Sequence, residues 1–203
     1  MARLLQYVAG LMVLAIGVSF AAASGLGVST LTALPFVISR ITGLEFGTVT
    51  GLMFCFYVFL EWLILNKDFR MLQLLQIPCA ILFGFLVSAA GALISAWHID
   101  NYFESFFAIV LSILFTGTGI VIYLGANLVP QAADGLVQAI MLKSGKSLPF
   151  VKNIFDLVSV ALAVIISLLF LGSVEGVREG TLLAAICVGR VISILQRFSS
   201  KQG

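Results

Sequence analysis

The fold of this chain is decided by two stretches that lie 102 residues apart, Ala23-Ser-Gly-Leu-Gly27 and Gly125-Ala-Asn-Leu-Val-Pro-Gln-Ala-Ala-Asp-Gly-Leu136. Each stretch follows a long apolar run, and each precedes a short helix-like segment, a glycine and a second apolar run. The gapless alignment pairs Gly17 with Gly119, Val18 with Ile120, Leu26 with Leu128, Gly43 with Gly145, Val49 with Val151 and Leu52 with Ile154. The chain is therefore an internal repeat of two copies.

The composition indicates that the solvent of this protein is lipid. Of its 203 residues, 61% are hydrophobic and only 10% are charged, whereas soluble domains carry about 25% charged residues. So few charges cannot cover the surface of a water-soluble globule of this size. The net charge of +2 is too small to indicate a nucleic-acid partner.

The first apolar run must break within the membrane. No charged residue or histidine occurs from 4 to 39, and one straight helix of that length would measure about 54 Å against a hydrocarbon core of roughly 30 Å. The glycines of Ser24-Gly-Leu-Gly27 supply the break. The segment 29–41 is too short to span and contains Pro35, so it is predicted to be a re-entrant or interfacial helix. Arg3 and the alanines that end the first run also resemble a signal peptide, but the run continues beyond them.

The pattern predicts an all-α integral membrane protein with six transmembrane helices. The first repeat covers 1–97, with a short helix at 29–41, and the second covers 105–198, with a short helix at 130–142. The predicted spans after the first are 46–65, 71–97, 105–127, 149–172 and 180–198. The second span opens with Gly47-Thr-Val-Thr-Gly51, which allows close approach of another helix.

The distribution of Lys and Arg predicts the orientation. With the N-terminus in the cytoplasm, eight of the eleven Lys and Arg residues lie on inner segments and two on outer segments, as the positive-inside rule requires. Both termini are then cytoplasmic. Three spans per copy is an odd number, so the repeats are inverted. If the short helices cross the membrane, each copy has four spans and the repeats are parallel instead.

Arg190 lies near the middle of the sixth predicted span. A charge inside a span is costly, about 2.5–3.5 kcal/mol on insertion scales, and usually faces protein or a cavity. The guanidinium suits a bidentate contact with an anion or carboxylate, so Arg190 is predicted to bind substrate. The alternative is a structural ion pair with Asp134 or Asp156.

The second short helix carries the other predicted substrate contacts. Asp134 lies between small residues, and a re-entrant helix directs its N-terminal amides into the membrane interior, where they can bind a ligand. A helix-capping role for Asp134 is the alternative. Its repeat mate, Thr32, is a neutral hydroxyl, and Gln131 and Asn127 add polar contacts.

Asp156 and Lys152 are predicted to form a gating or coupling pair. They are four residues apart in the fifth predicted span, so the alternative is an i,i+4 surface pair. Asn153 shares that turn and offers a neutral donor and acceptor. Glu61, next to Trp62, is interpreted as a side chain that reaches the membrane interface.

No residue pattern indicates an enzyme. Cys55, Cys79 and Cys187 lie within apolar runs without pair spacing and read as core residues. His98 is the only histidine, and the chain lacks phosphate-binding loops and the HExxH, GxSxG and CxxC motifs. We therefore expect no metal, no cofactor and no catalytic activity. The expected partner is the lipid bilayer, and the sequence leaves the oligomeric state open, a homodimer included.

Several motifs resemble the YczE/YitT-like family of bacterial integral membrane proteins. They are Ala23-Ser-Gly-Leu-Gly27, Thr30-Leu-Thr32, Gly43-Leu-Glu-Phe-Gly47, Gly125 to Leu136, Gly145, Val151-Lys-Asn153, Gly180-Thr-Leu182 and Gly189. The resemblance implies a transporter of the cytoplasmic membrane without a defined substrate. The family usually has Asp where this chain has Thr32, so only Asp134 is carried over.

The leading hypothesis is a secondary transporter or exporter of a small polar or amphipathic solute, with its site at the repeat interface. One alternative is an anionic-lipid flippase or another lipid-handling protein, in which Arg190 would meet a phosphate headgroup. Another is a substrate-binding or accessory subunit of a larger transport complex.

Overall fold

The computed structural model of the protein describes residues 2–97 and 99–199. His98 and the polar tail 200–203 lie outside the described residues. The described part forms eight α-helices and no strand. The helices are α1 (Ala2–Ser24), α2 (Thr30–Thr42), α3 (Phe46–Leu65), α4 (Gln76–Ile94), α5 (Tyr102–Gly125), α6 (Ala132–Ser144), α7 (Leu148–Leu171) and α8 (Glu179–Ser199).

Six of these helices (α1, α3, α4, α5, α7 and α8) are long and apolar enough to cross a membrane. The prediction of six such helices is confirmed. The third begins with a 3-10 turn, Met71–Leu75, before α4. The short helices α2 and α6 have 13 residues each, which is about 20 Å and less than the hydrocarbon core. They begin one or two residues later than predicted.

The short helices begin and end at corresponding positions of the repeat. Each follows a residue with a large positive ψ, Ser29 (156°) or Gln131 (149°). Each ends at a left-handed glycine, Gly43 (φ 72°) or Gly145 (φ 66°), whose N–H donates to the carbonyl oxygen four residues earlier. Left-handed backbone favours glycine, so the repeated glycines act as helix terminators.

α1 and α5 share the most extensive helix–helix contact, and they run in opposite directions. Leu14 lies against Gly119, whereas Gly17, further along α1, lies against Thr116, earlier in α5. A Cβ atom added to Gly119 would lie 2.5 Å from the Leu14 nitrogen, and one added to Gly17 would lie 2.6 Å from the Thr116 nitrogen. Only glycine permits this approach, as is common between membrane helices.

α3 and α4 also pack backbone to backbone, which confirms the close approach predicted from Gly47 and Gly51. Both glycines face Gly84 of α4. Further along, the rings of Phe54 and Phe83 are stacked, with centroids 5.7 Å apart and an interplanar angle of 7°. α7 and α8 hold the corresponding places in the second half, but in the described part of the chain they make no comparable contact.

The remaining contacts are of two kinds. Within each half, the last long helix packs on the first one, α4 on α1 and α8 on α5. Each short helix lies against a long helix of the other half, α2 against α7 and α6 against α3. This exchange brings the N-terminal ends of α2 and α6 to opposite walls of one central space.

Candidate functional site

That central space is a cavity of about 340 Å³, lined by residues from all eight helices. Its volume lies in the range of small-molecule sites, about 300–1,000 Å³. The first turns of α2 and α6 reach it, and the N–H groups of a first helical turn lack intrahelical partners. The uncharged polar side chains of the wall are Ser29, Thr30, Thr32, Thr116, Tyr123 and Gln131.

Three charged side chains form a cluster in the cavity wall. The Lys152 Nζ atom lies 3.6 Å from Asp134 Oδ1 and 3.5 Å from Asp156 Oδ1. The Tyr123 hydroxyl donates a hydrogen bond of 3.2 Å to Asp134 Oδ2. One ammonium thus lies between two carboxylates, and one negative charge has no cationic counterpart within the cluster.

The cluster follows from local structure and from the packing of α6 on α7. Lys152 and Asp156 share one face of α7 because they are four residues apart. Asp134 lies in the first turn of α6, where the helix dipole favours a carboxylate. Lys152 and Asp156 therefore do form an i,i+4 pair. The pair faces the cavity and not the protein surface, and its Lys152 also contacts Asp134.

Three buried polar atoms of the wall make no hydrogen bond with the described residues. They are Gln131 Nε2, Lys152 Nζ and Asp156 Oδ1. Lys152 and Asp156 are close enough to attract each other but do not satisfy hydrogen-bond geometry. Buried polar atoms are nearly always hydrogen-bonded in proteins, so these two donors and one acceptor are available to a partner in the cavity.

The structure brings five of the predicted site residues together: Thr32, Gln131, Asp134, Lys152 and Asp156. Thr32 is buried, and its hydroxyl lies 2.8 Å from the Ser29 hydroxyl. Asn127 and Asn153 are exposed and do not line the cavity. Asn127 has a φ of 50° in the turn between α5 and α6, so its place in the structure is that of a turn residue.

Arg190 lies on the exposed face of α8 and does not line the cavity. It follows the cavity residue Ala185 by five positions, which turns its side chain about 140° around the helix axis. The structure therefore separates Arg190 from Asp134 and Asp156, with which the sequence predicts that it converges. Its part in substrate binding stays a prediction.

The cavity opens between α7 and α8. The α8 wall consists of small residues, and two of them, Ala185 and Gly189, line the cavity and are also exposed. On the opposite side of this gap, the Asp156 side chain is 26% exposed. Because α7 and α8 make no extensive contact in the described part of the chain, an opening of the cavity to the outside is expected along this gap.

The places of two further polar side chains, Tyr123 and Glu61, do not follow from the sequence. Tyr123 lies beside Asp134 and donates a hydrogen bond to it. The only indication of this in the sequence is that Tyr123 lies shortly before the break at the end of α5. Glu61 was interpreted as an interfacial side chain, and that interpretation is wrong, since Glu61 is only 1% exposed. Its carboxylate accepts hydrogen bonds from Gln73 Nε2 (2.6 Å) and Gln76 Nε2 (2.9 Å).

Six apolar helices with a charged internal cavity define a multi-pass helical membrane protein. The chain belongs to DUF6198, a family of unknown function whose model matches residues 1–197. Comparisons with curated proteins and with solved structures found no match. The family match supports membership in a defined group, while the YczE/YitT-like likeness stays a resemblance of motifs.

Proposed function

We propose that the protein is a secondary transporter or exporter of a small polar or amphipathic solute, and not an enzyme. The observation that carries the proposal is the central cavity, a space of ligand size whose wall holds three polar atoms without a hydrogen bond. The YczE/YitT-like motifs point in the same direction. The proposed location is the cytoplasmic membrane, with both termini inside, as the Lys and Arg distribution indicates.

Inverted repeats are part of this proposal, and the contact between α1 and α5 supports them. In the repeat, Gly17 corresponds to Gly119 and Leu14 corresponds to Thr116, each 102 residues further along the chain. The repeat therefore exchanges the Gly17–Thr116 contact with the Gly119–Leu14 contact. A two-fold axis perpendicular to the helices has this property, and such an axis in the membrane plane relates inverted repeats of transporters. The short helices α2 and α6 would then enter from opposite faces.

The cavity lies where such an axis would pass. Its lining contains both members of several repeat pairs: Leu14 and Thr116, Val18 and Ile120, Ser29 and Gln131, Thr32 and Asp134, Phe54 and Asp156, and Phe83 and Ala185. A site at the interface of two repeats can open to either side by rocking one repeat against the other. This placement suits alternating access.

The unpaired atoms suggest the chemistry of the solute. A cationic donor on the solute would pair with Asp156 Oδ1, and an acceptor would bind Gln131 Nε2 and Lys152 Nζ. The apolar wall, which includes Phe54 and Leu14, would hold a hydrocarbon portion. A small zwitterion or an amphipathic cation meets these requirements, whereas a simple anion would face two carboxylates. Binding that breaks the Lys152–Asp156 contact would make this pair the gate.

Two exposed ion pairs are candidates for the outer parts of the gate. Arg40 near the end of α2 lies 2.8 Å from Glu175 in the α7–α8 loop. Lys143 near the end of α6 lies 2.6 Å from Asp68 in the α3–α4 turn. Each pair joins a short helix to a loop of the other half. Exposed pairs contribute only about 0–1 kcal/mol, so they can break and re-form during a transport cycle.

Uptake into proteoliposomes tests the proposal. Tetraphenylphosphonium, glycine betaine and benzoate serve as probes for an amphipathic cation, a zwitterion and an anion. We expect uptake of the cation or the zwitterion above that of empty liposomes, and a decrease of roughly tenfold in Asp156→Asn, equivalent to about 1.4 kcal/mol. Leu157→Ala, next to Asp156 but 65% exposed, should transport like the wild type. If empty liposomes take up each of the three probes as fast as liposomes that contain the protein, the assignment is rejected.

Lipid handling is the second candidate, and the gap between α7 and α8 favours it. A lipid headgroup could enter the cavity sideways while its acyl chains stay in the bilayer. A fluorescent-lipid translocation assay in the same liposomes separates the two functions. Translocation that is lost in Asp156→Asn, without uptake of any soluble probe, would favour lipid handling.

A further inference from the structure

A second buried polar cluster lies against Gly135 of α6, about 100° around the helix axis from the cavity residue Asp134. Glu61 of α3 and Gln76 of α4 are each 1% exposed, and both approach Gly135 of α6. A Cβ atom on Gly135 would lie 2.8 Å from Glu61 Oε2 and 2.7 Å from Gln76 Oε1. Gly135 directly follows Asp134, so one turn of α6 connects this cluster with the charged cavity wall.

Glu61 is a buried acid without a cationic partner. In the part of the chain that the structure describes, no ion pair includes it. It borders a vestibule of about 880 Å³ whose other charged residues are Lys67, Asp68, Arg70 and Lys143. Tyr7 of α1 and Cys79 of α4 line a small pocket together with Gln76. A buried charge held only by amides is expensive, so the neutral acid competes with the carboxylate.

The hydrogen bonds around Glu61 have two arrangements, one for each protonation state. As a carboxylate, Glu61 accepts from the Nε2 atoms of Gln73 and Gln76, and Gln76 Oε1 is left without a partner. As a carboxylic acid, Glu61 gains an O–H donor that can bond Gln76 Oε1 once that amide has turned over. The protonation state of Glu61 therefore selects the orientation of the Gln76 amide. Because both groups press on Gly135, the two arrangements pack differently against α6.

We propose that Glu61 is a proton-binding site that couples the vestibule to the central cavity. The Glu61 carboxylate takes a proton from vestibule water to form the neutral acid and returns the same proton later in the cycle. The resulting change at Gly135 is transmitted along α6 to Asp134, and so to the contacts of Lys152. The coupling role rests on the proposed transport function, whereas proton binding by Glu61 does not.

Infrared difference spectroscopy of the protein in lipid bilayers tests proton binding without any solute. A pH titration of the wild type should show a carboxylic-acid C=O band that disappears as the pH rises, together with a change in a glutamine amide band. Glu61→Gln should lose the C=O band, whereas Glu45→Gln, which alters an exposed carboxylate at the start of α3, should retain it. Gln76→Leu should retain the C=O band and lose the coupled amide change. Identical titration spectra of wild type and Glu61→Gln would overturn the proposal.

Transport of the probe solutes tests the coupling. An imposed pH gradient should accelerate uptake by the wild type. Glu61→Gln should lose this acceleration and retain solute exchange at equal pH on both sides. Gradient-driven uptake by Glu61→Gln at the wild-type rate would overturn the coupling role. If the wild type transports none of the probes, the proposed function fails with its coupling, while the infrared titration still decides proton binding by Glu61. Thermal melting of each variant shows whether it is folded.

Discussion

The two halves of the cavity wall share one scaffold and differ in chemistry. The repeat pairs Thr32 with Asp134, Thr50 with Lys152, and Phe54 with Asp156. In the first half these side chains are satisfied locally: Thr50 donates to the Phe46 carbonyl oxygen at 2.7 Å, and Phe54 is buried in the core. Thr32 and Phe54 line the cavity without a charge, whereas all three corresponding side chains of the second half line it and are charged. Two halves with the same helix arrangement can therefore differ in charge, because the charged residues of the cavity wall all lie in the second half.

The same comparison explains why the cavity opens on one side. Phe54 and Phe83 stack to close the space between α3 and α4. Their repeat mates are Asp156 and Ala185, a carboxylate and a methyl group, which cannot fill the equivalent space between α7 and α8. The gap therefore lies where two aromatic side chains of the first half correspond to a carboxylate and a methyl group in the second half.

The largest expected effect concerns the feature that the halves share. Gly17→Leu and Gly119→Leu should destabilise the fold to a similar extent, because each new side chain meets the backbone of the partner helix. Overpacking typically costs about 1–3 kcal/mol, and backbone contacts place these variants at the upper end. Thermal and denaturant unfolding in detergent would measure the loss. Gly91→Ala, which has no neighbour within 4 Å of the new Cβ atom, is the control. Unequal effects at Gly17 and Gly119 would break the symmetry.

The next largest effect comes from making the second half resemble the first. Asp156→Phe combined with Ala185→Phe should close the gap between α7 and α8 and abolish solute uptake. The fold should persist because both positions border empty space. The matched control is Leu157→Phe on the exposed face of α7. Retained uptake in the double variant, measured beside an unchanged melting temperature, would show that the cavity is not the route.

A smaller effect is expected where the charge asymmetry is reduced without filling space. Asp134→Thr, which copies Thr32, leaves Lys152 with Asp156 as its only partner and removes the acceptor of the Tyr123 hydroxyl. Lys152 then pairs with Asp156 alone, which makes both groups less available to the solute. If this costs as much as one hydrogen bond to a charged group, about 1.5–3 kcal/mol, solute affinity should fall roughly 10- to 100-fold. Isothermal titration with the transported probe would measure it. Thr32→Ser, on the uncharged side, should bind like the wild type, and equal losses in both variants would contradict the asymmetry.

The smallest effects belong to the exposed ion pairs at the ends of the short helices. Arg40→Ala and Lys143→Ala should each lower stability by less than about 1 kcal/mol, since exposed pairs are screened by water. The melting temperature of each variant, compared with that of Arg70→Ala, would test this. A loss of several kcal/mol in either variant would mean that the pair is a structural anchor and not a gate.

The sequence predicted the helices well because length and composition constrain them strongly. An apolar run longer than the bilayer had to break at Ser24-Gly-Leu-Gly27, and α1 ends at Ser24. The repeated glycines also marked the ends of α2 and α6, since left-handed caps leave a local signature. These features depend on neighbours in the chain, which the sequence displays directly.

The site was predicted only in part because its contacts are not local. Lys152 and Asp156 were found through their spacing. Arg190 is predicted to line the cavity because a charge within a span usually faces protein or a cavity, and its depth in the span does not reveal which face of α8 is internal. Glu61 was assigned to the interface because its sequence neighbours suggested it. Its hydrogen-bond partners, Gln73 and Gln76, lie 12 and 15 residues away.

The glycine contact between α1 and α5 also provides an internal ruler for measurements of motion. Two helices that touch backbone to backbone cannot slide past each other without separating. If the two repeats rock about this contact, a pair of spectroscopic labels beside Gly17 and Thr116 should keep its distance while the rest of each repeat moves. Distances from further labels on α2 and α6 to that reference pair would measure the displacement of the short helices. Tumbling of the protein and changes in the surrounding lipid would not affect them.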